Sequence, residues 1–290
     1  MASITINTNI ASLKAQQNLS AATSGMNTAM ERLTTGYRIN SGKDDAAGSA
    51  VSTIMEAQIS GYDVAEANAT MGLSLLDTAE GVLNIVGDYL QRIRDLTEQA
   101  ANGTYGTDAL NAIKSEVQAR FDEITRLSEA SEFNGRRLLN GEIVDDIKLQ
   151  VGITHDSDVS TISLEHSLFE QADASSLIGT FEGKTIIAQV CTEAYSNDTK
   201  ARAFLEKIDN ALSNITDRTT KIGGYQQRIL SAIDAAGVME TNLTSAGSLI
   251  QDADIAEESS NYIKQQILQQ TSATLLATAN QTPSIATQLV

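Results

Sequence analysis

Between Leu76 and Ala100 the chain repeats one kind of residue in steps of three and four: Leu76, Ala79, Leu83, Val86, Leu90, Ile93, Thr97 and Ala100, with Thr97 the one polar member. An α-helix lays such a series on one face, and the three-four step is the seam of a coiled coil. Toward the N-terminus the same phase runs through Gly72, Ala69, Ala65 and Tyr62, which predicts one helix over about Ser52 to Ala101. Fifty residues at ~1.5 Å rise reach roughly 75 Å, too long to fold into a compact domain of this mass. Such a helix needs long partners.

The composition agrees. Of 290 residues, 41% are hydrophobic, enough for a core, but aromatics are only 4%, Trp is absent and Pro283 is the single proline. An interior of Ala, Leu, Ile and Val packs helices more readily than it fills a large globular core. Proline punctuates loops and edge strands, so its scarcity argues against a series of turn-rich β modules.

Two glycines in Ala101-Asn-Gly-Thr-Tyr-Gly-Thr107 break the periodicity, and Thr107 or Asp108 is the expected cap of the next helix. That helix presents Leu110, Ile113, Val117, Phe121, Ile124 and Leu127 on one face and should stop near Phe133-Asn-Gly135. The two helices are expected to form an antiparallel hairpin. A second long seam runs through Ile208, Leu212, Ile215, Thr219, Ile222, Gln226, Ile229, Ile233, Ala236, Glu240, Leu243, Gly247 and Ile250. Gly223-Gly224 sits within it at about 1 kcal/mol per glycine relative to alanine, so a bend or a close packing contact is expected there.

Residues 141–195 change character. Ile147-Lys-Leu-Gln-Val-Gly152 and Ser160-Thr-Ile-Ser-Leu-Glu165 alternate apolar and polar around the turn-rich Thr154-His-Asp-Ser-Asp158, the pattern of a β-hairpin. The fold class is therefore mainly α: a long antiparallel helical bundle or coiled coil made from both chain ends, with a small β-hairpin region in the middle. The expected domains are a terminal coiled coil of 1–40 with 255–290, a helical bundle of 41–140 with 196–254, and a short insert at 141–195.

Charge separates the ends from the interior. The net charge is −17, yet residues 1–40 hold Lys14, Arg32 and Arg38 against Glu31, and residues 259–290 hold Lys264 alone. Both ends are rich in Gln, Asn, Ser and Thr, with apolar residues at helical spacing: Leu19, Ala22, Met26, Ala29 and Leu33 at one, Ile263, Ile267, Leu268, Leu275 and Leu276 at the other. Such stripes are too narrow to hold a lone helix in water, so these segments are expected to order on binding something. A chain this acidic repels a polyanion, which disfavours nucleic acid as a partner. No run of about 18 apolar residues predicts a membrane span, and the first residues lack the basic start and apolar centre of a cleaved secretory signal. Cys191 stands alone, which excludes a disulfide within the chain.

No catalytic set, cofactor site or metal site emerges. Gly36 and Gly42-Lys43 are spaced wrongly for a phosphate loop, with Asp44 where Ser or Thr is needed. His155 and His166 lack the i, i+4 pairing of a zinc protease. Asp252, Asp254, Glu257 and Glu258 suggest a calcium cluster, but Asp254 and Glu257 have the spacing of a helix capping box, which is the preferred reading. No histidine close in sequence activates Cys191, and the sequons at Asn68, Asn102, Asn197, Asn214 and Asn242 fall partly inside expected helices.

The segment Arg32-Leu-Thr-Thr-Gly-Tyr-Arg-Ile-Asn-Ser-Gly-Lys-Asp-Asp-Ala-Ala-Gly48 closely resembles bacterial flagellin, the subunit of the flagellar filament. So do Gln91-Arg-Ile-Arg-Asp-Leu-Thr-Glu-Gln-Ala-Ala-Asn102, Phe133-Asn-Gly-Arg-Arg-Leu-Leu139, Asp252-Ala-Asp-Ile-Ala-Glu257 and Gln265-Gln-Ile-Leu-Gln-Gln270, in family order over roughly 1–140 and 200–290. The resemblance implies a non-enzymatic subunit of a helical tube, its paired terminal helices inside and its bundled long helices outside. The insert at 141–195 is short, as in a minimal flagellin without large outer domains. Leu19, Met26, Leu33, Ile263, Ile267 and Leu275 would then make the filament contacts of the terminal helices.

The implied partners are other copies of the chain, the flagellar cap, the hook-filament junction proteins and an export chaperone. The implied place is the extracellular filament, reached by the flagellum's own type III export. The alternative within the family is the hook-filament junction protein. Arg92, Leu96 and Glu116 match positions read by the flagellin-sensing Toll-like receptor of animals, a patch that would first serve subunit contacts. Residues 31–52 are similar to the epitope of a plant receptor kinase, with Gly42 where alanine is usual. Ser157, Ser160 and Thr161 are candidates for the O-glycosylation found on some flagellins.

Overall fold

The computed structural model describes residues 8–288, so the outermost parts of the terminal segments expected over 1–40 and 255–290 lie outside the described residues. Contacts divide the chain into two units, Met1–Ile59 with Thr241–Val290, and Ser60–Glu240. The mainly helical class and the small central hairpin are as expected.

The first unit pairs α1 (Ile10–Thr35) with α8 (Ile255–Gln288). Asn9 starts α1 by accepting the Ser12 N–H at 3.1 Å. Gly36, at φ +79°, ends it in the left-handed conformation that glycine adopts freely, its N–H on the Arg32 carbonyl. Asp254 is a cap, as its spacing suggested: its Oδ1 accepts the N–H groups of Ala256 and Glu257. Asp45 does the same for Ala47 and Gly48 at the start of α2 (Ala46–Ala100). The two connections are tied together by the main chain, Arg38 N–H to the Gln251 carbonyl and Ala253 N–H to the Gly36 carbonyl.

The second unit is built on the α2 seam, every member of which from Leu76 to Ala100 is buried. Against it lie α3 (Thr107–Ala130) and α7 (Asp198–Gln251), whose buried faces join one core with the residues that follow α3. Arg94 reaches Asp209 at 2.7 Å, and Gln226 reaches Asp77 and Glu80, so α7 runs antiparallel to α2. Thr97, the polar break in the seam, donates to the Ile93 carbonyl at 2.7 Å and meets the buried Tyr195 hydroxyl at 2.5 Å. With its own hydrogen used, Thr97 is the acceptor and Tyr195 the donor.

The α7 seam differs by one residue from its reading. Ile208, Ile215, Ile222, Ile229 and Ala236 are buried as expected, but their companions are Phe204, Ala211 and Arg218, while Leu212 and Ile233 sit at the margin. Arg218 is 8% exposed and donates to the carbonyls of Leu168 (3.0 Å) and Glu170 (2.5 Å). Burial lowers its pKa to about 10. Apolar periodicity favours Leu212 and Thr219 because it cannot count a cation whose head is satisfied by carbonyls of another segment. The helix passes through Gly223-Gly224 without interruption, and nothing lies within 4 Å of a side chain placed on Gly224, so close packing within the chain is not the reason for it.

Two further boundaries moved. Gly106, not Thr107 or Asp108, occupies the N-cap of α3, and no side chain caps it. Beyond Ala130, β1 (Glu132–Phe133) and β2 (Arg136–Arg137) form a minimal hairpin, with Asn134 at φ +50° and Gly135 at φ +79°, the Asn-Gly turn that matches strand twist. The expected central hairpin pairs β3 (Ile147–Gln150) with β4 (Thr161–Leu164), Ile147 opposite Leu164, and a single helical turn, α4 (Ser157–Ser160), in the connection. It docks where α2 has glycines: a side chain on Gly72 would lie 2.3 Å from Leu149 Cδ1, and one on Gly61 would lie 2.8 Å from Ile153 Cγ2. The less regular stretch beyond contains α5 (Ala174–Ile178) and α6 (Ile187–Ala194), and Phe181 and Tyr195 close edge-to-face around Phe204. Residues 141–195 thus share the core of the second unit.

Replacing Thr97 by valine leaves the Tyr195 hydroxyl buried without an acceptor. Urea unfolding of Thr97→Val is expected to show a loss of about 1–3 kcal/mol, most of it recovered by adding Tyr195→Phe.

Candidate functional site

The two end helices meet through small and polar residues. Ala15, Ala22 and Ala29, seven apart, are the buried residues of α1. Among the described side chains of α8, Glu258 and Ser272 are buried, and Gln265 lies so close to Gly25 that a methyl group there would be 2.9 Å from its Cδ. Ties run antiparallel along the pair: Asn9 Nδ2 to the Ala279 carbonyl at 2.7 Å, Gln269 to Thr23 at 3.1 Å, and Arg32 to Glu258 at 2.7 Å. Alanine at 15, 22 and 29, alternating with the half-buried Leu19, Met26 and Leu33, lets the Cα traces come repeatedly within 8 Å of each other.

Such close pairing leaves a row of large apolar side chains outside. Ile263, Ile267 and Leu275 are 54, 56 and 57% exposed, and Leu268, Ile10, Leu13 and Met30 are exposed too. Ile263, Ile267 and Leu268, with Ser260 and Lys264, line a shallow groove of about 420 Å³. Leu19, Met26 and Leu33 are half-buried beside the alanine row. Full cover is worth about 1.5–3 kcal/mol for each large apolar side chain, which this unit alone does not supply to the outward row. The part played by Ala15 in the seam was missed in the sequence, although the seven-residue alanine spacing carries the signal.

In the second unit Arg92 and Glu116 come together across α2 and α3, Nη2 to Oε1 at 3.3 Å, and Arg120 joins the same carboxylate at 2.8 Å. The hydrogen bond from Arg120, with the charge of Arg92 behind it, holds the Glu116 carboxyl below its usual range. Leu96 does not share this surface. It is 3% exposed and belongs to the core, because the helix turn that exposes Arg92 directs Leu96 inward.

Of the three hydroxyl candidates Ser157 is exposed and Thr161 half-buried, its hydroxyl on the Ser157 carbonyl. Ser160 is 2% exposed and held against the Thr154 hydroxyl, so it is corrected as an acceptor for a sugar. Cys191 is buried, and burial pushes its thiol up to about 12, the opposite of an activated nucleophile. His166 contacts Asp146 at 3.3 Å, and that carboxylate also accepts the His166 N–H and the Ser163 hydroxyl. The suggested acidic cluster is divided among separate tasks: the Asp252 carboxylate accepts the Ser248 hydroxyl, Asp254 caps α8, and Glu258 pairs with Arg32. Among the described residues no helix is long and apolar enough to cross a membrane.

Residues 6–143 match the bacterial flagellin N-terminal helical region and residues 205–290 the bacterial flagellin C-terminal helical region. A flagellin of Xenorhabdus nematophila is 36% identical over the whole of both chains. One from Bacillus subtilis (strain 168) is 35% identical, over 98% of this chain and 99% of its own. A solved structure from Vibrio parahaemolyticus, assigned provisionally to the flagellar hook-associated proteins, shares the fold at a TM-score of 0.60 and 18% identity, over 72% of this chain and 99% of that one. With both terminal helical regions matched and full-length relatives above one-third identity, this chain belongs to the bacterial flagellin family.

Proposed function

We propose that this chain is a structural subunit that polymerises through its paired ends into the flagellar filament, and that its work is mechanical rather than enzymatic. The observation that carries the reading is the row Ile263, Ile267 and Leu275, left exposed because the end helices pair through alanine and glycine. Covering that row on neighbouring copies couples the ordering of the ends to assembly. Leu19, Met26 and Leu33 lie beside the seam and would complete the contact. The hook-filament junction role is less favoured, since likeness to a hook-associated structure at 18% identity extends to the fold alone.

The finer parts of the reading are an extracellular place in the filament, delivery through the flagellum's own export route with a chaperone on the ends, and contact with cap and junction proteins. Arg92 and Glu116 form an exposed charged pair suited to a neighbouring subunit and, secondarily, to an innate immune receptor of animals. The loop around Gly42 is exposed, as a plant receptor kinase would require. Ser157 is the accessible candidate for a sugar.

Full-length protein added to filament seeds is expected to grow long tubes under the electron microscope, while Ile263→Ser with Ile267→Ser, or a chain lacking 1–40 and 259–290, stays monomeric. Equal growth by the double variant would overturn the role of the outward row, and intact protein that only decorates seed tips would favour the junction protein. The second expectation concerns pH. Glu116 and Glu123 are held low by hydrogen bonds from Arg120 and Arg126, so their contribution is complete above the ordinary carboxylate value of 4.5 and is lost as pH falls through their lower folded values. Urea midpoints of the monomer should be level between about pH 7 and 5 and fall below about pH 4.5, and Arg120→Gln should move the Glu116 titration upward in NMR.

A further inference from the structure

A cavity of about 540 Å³ lies in the second unit between α7 and the segment that carries the core residues Leu168 and Phe169, and the filament reading makes no use of it. Asp217, Arg218 and Lys221, spaced to share one side of α7, line it, and Glu170 and Leu177 come from the crossing segment. That segment is fixed in place. Leu168 and Phe169 are fully buried, the Ala172 N–H donates to the Leu139 carbonyl at 3.0 Å, and Asp173 caps α5 through the Ser176 N–H at 3.1 Å. A preformed hollow of this kind takes a small molecule without first having to be ordered.

The charges around it are held apart. Arg218, 8% exposed, donates through Nε and Nη2 to carbonyl oxygens alone. Among the described residues every buried side-chain nitrogen or oxygen has a partner, so Nη1, which has none, is open, and the space that Arg218 borders is this cavity. The charge of Glu170 is felt at the guanidinium, but the two form no ion pair. Nor do the carboxylates of Glu170 and Asp217 hydrogen-bond to any described residue. Lys221 reaches only Glu165, at 3.8 Å. A buried guanidinium without a counter-ion and two unengaged carboxylates around one space leave favourable pairing unmade.

We infer that the cavity binds a small zwitterion of the α-amino acid class, its carboxylate on Arg218 Nη1 and Lys221 Nζ, its ammonium among Glu170 and Asp217, and an apolar side chain against Leu177. Each simpler ligand is opposed by part of the lining. A doubly charged oxyanion meets two carboxylates, a metal cation meets the guanidinium and the ammonium of Lys221, and an uncharged molecule pairs with neither sign. The inference concerns the monomer and stands apart from the filament reading.

The test follows the Leu177 methyl and Arg218 Nε–H signals by NMR in the full-length monomer while L-leucine, acetate or inorganic phosphate is added. L-leucine should saturate both signals with a Kd of about 1 mM, acetate should bind roughly tenfold more weakly, and phosphate should not saturate. Because Arg218 also holds the fold, the variant is Glu170→Gln with Asp217→Asn, both exposed, which should leave the thermal midpoint unchanged. In this variant L-leucine binding should weaken about tenfold while acetate binding tightens. Absence of saturation by L-leucine at about 20 mM overturns the inference, as does leucine binding that the variant leaves untouched, which would place it elsewhere. Phosphate bound more tightly than L-leucine also overturns it, by showing a site for anions only.

Discussion

The pairing of the two end helices through a seam whose fully buried residues on α1 are all alanine is the constraint on which the proposed assembly depends. Two helices brought this close only half-cover Leu19, Leu33 and Leu276 and leave Ile263, Ile267 and Leu275 exposed, so the burial of that outward row is left to something else. Ala15, Ala22 and Ala29 gain little from being covered, and the ties of Asn9, Thr23 and Arg32 exchange bonds to water for bonds to protein at a modest net gain. Ordering about thirty residues at each end is costly in conformational entropy by comparison. In the filament reading, a neighbour that covers Ile263, Ile267 and Leu275 supplies the difference.

The second unit solves the opposite problem. Its seam of leucine, isoleucine and valine provides ample burial but little to fix register, since one apolar residue slides past another at low cost. Register comes instead from a few polar groups whose partners lie at one place only. Tyr195 can donate only where Thr97 is, and Arg218 can enter the interior only where the carbonyls of Leu168 and Glu170 receive it. Gly72 adds a steric equivalent, because Leu149 fits where a side chain is missing. These devices hold the short central segment to the long helices.

What could be read from the sequence follows from the same division. The α2 seam was legible because its burial is apolar and its period unbroken from Leu76 to Ile93, and the central hairpin because alternation over Ile147–Gln150 and Thr161–Leu164 is strict. The α7 seam was half legible: the isoleucine row was evident, while Ala211 and Arg218 were passed over for Leu212 and Thr219, whose chemistry looks more like a core or a neutral break. Leu96 was placed with Arg92 on spacing alone, which cannot say whether the shared side of a helix is its margin or its core. The outward direction of Ile263 and Ile267 was hidden for a related reason, since an apolar stripe in a sequence does not say whether its cover comes from its own chain or another.

That ambiguity bears on how a subunit remains soluble before it polymerises. If every apolar stripe were satisfied within the chain, no surface would be left to drive assembly. If the outward rows were wider, the monomer would aggregate without order. Here the outward row of α8 is narrow and interrupted by Lys264, and it sits on a chain of net charge −17, which opposes the approach of copies. In the filament reading, a long α2 seam keeps the second unit folded while the ends gain their remaining burial from a neighbour, so one sequence would serve both as a monomer and as a component ordered further by assembly.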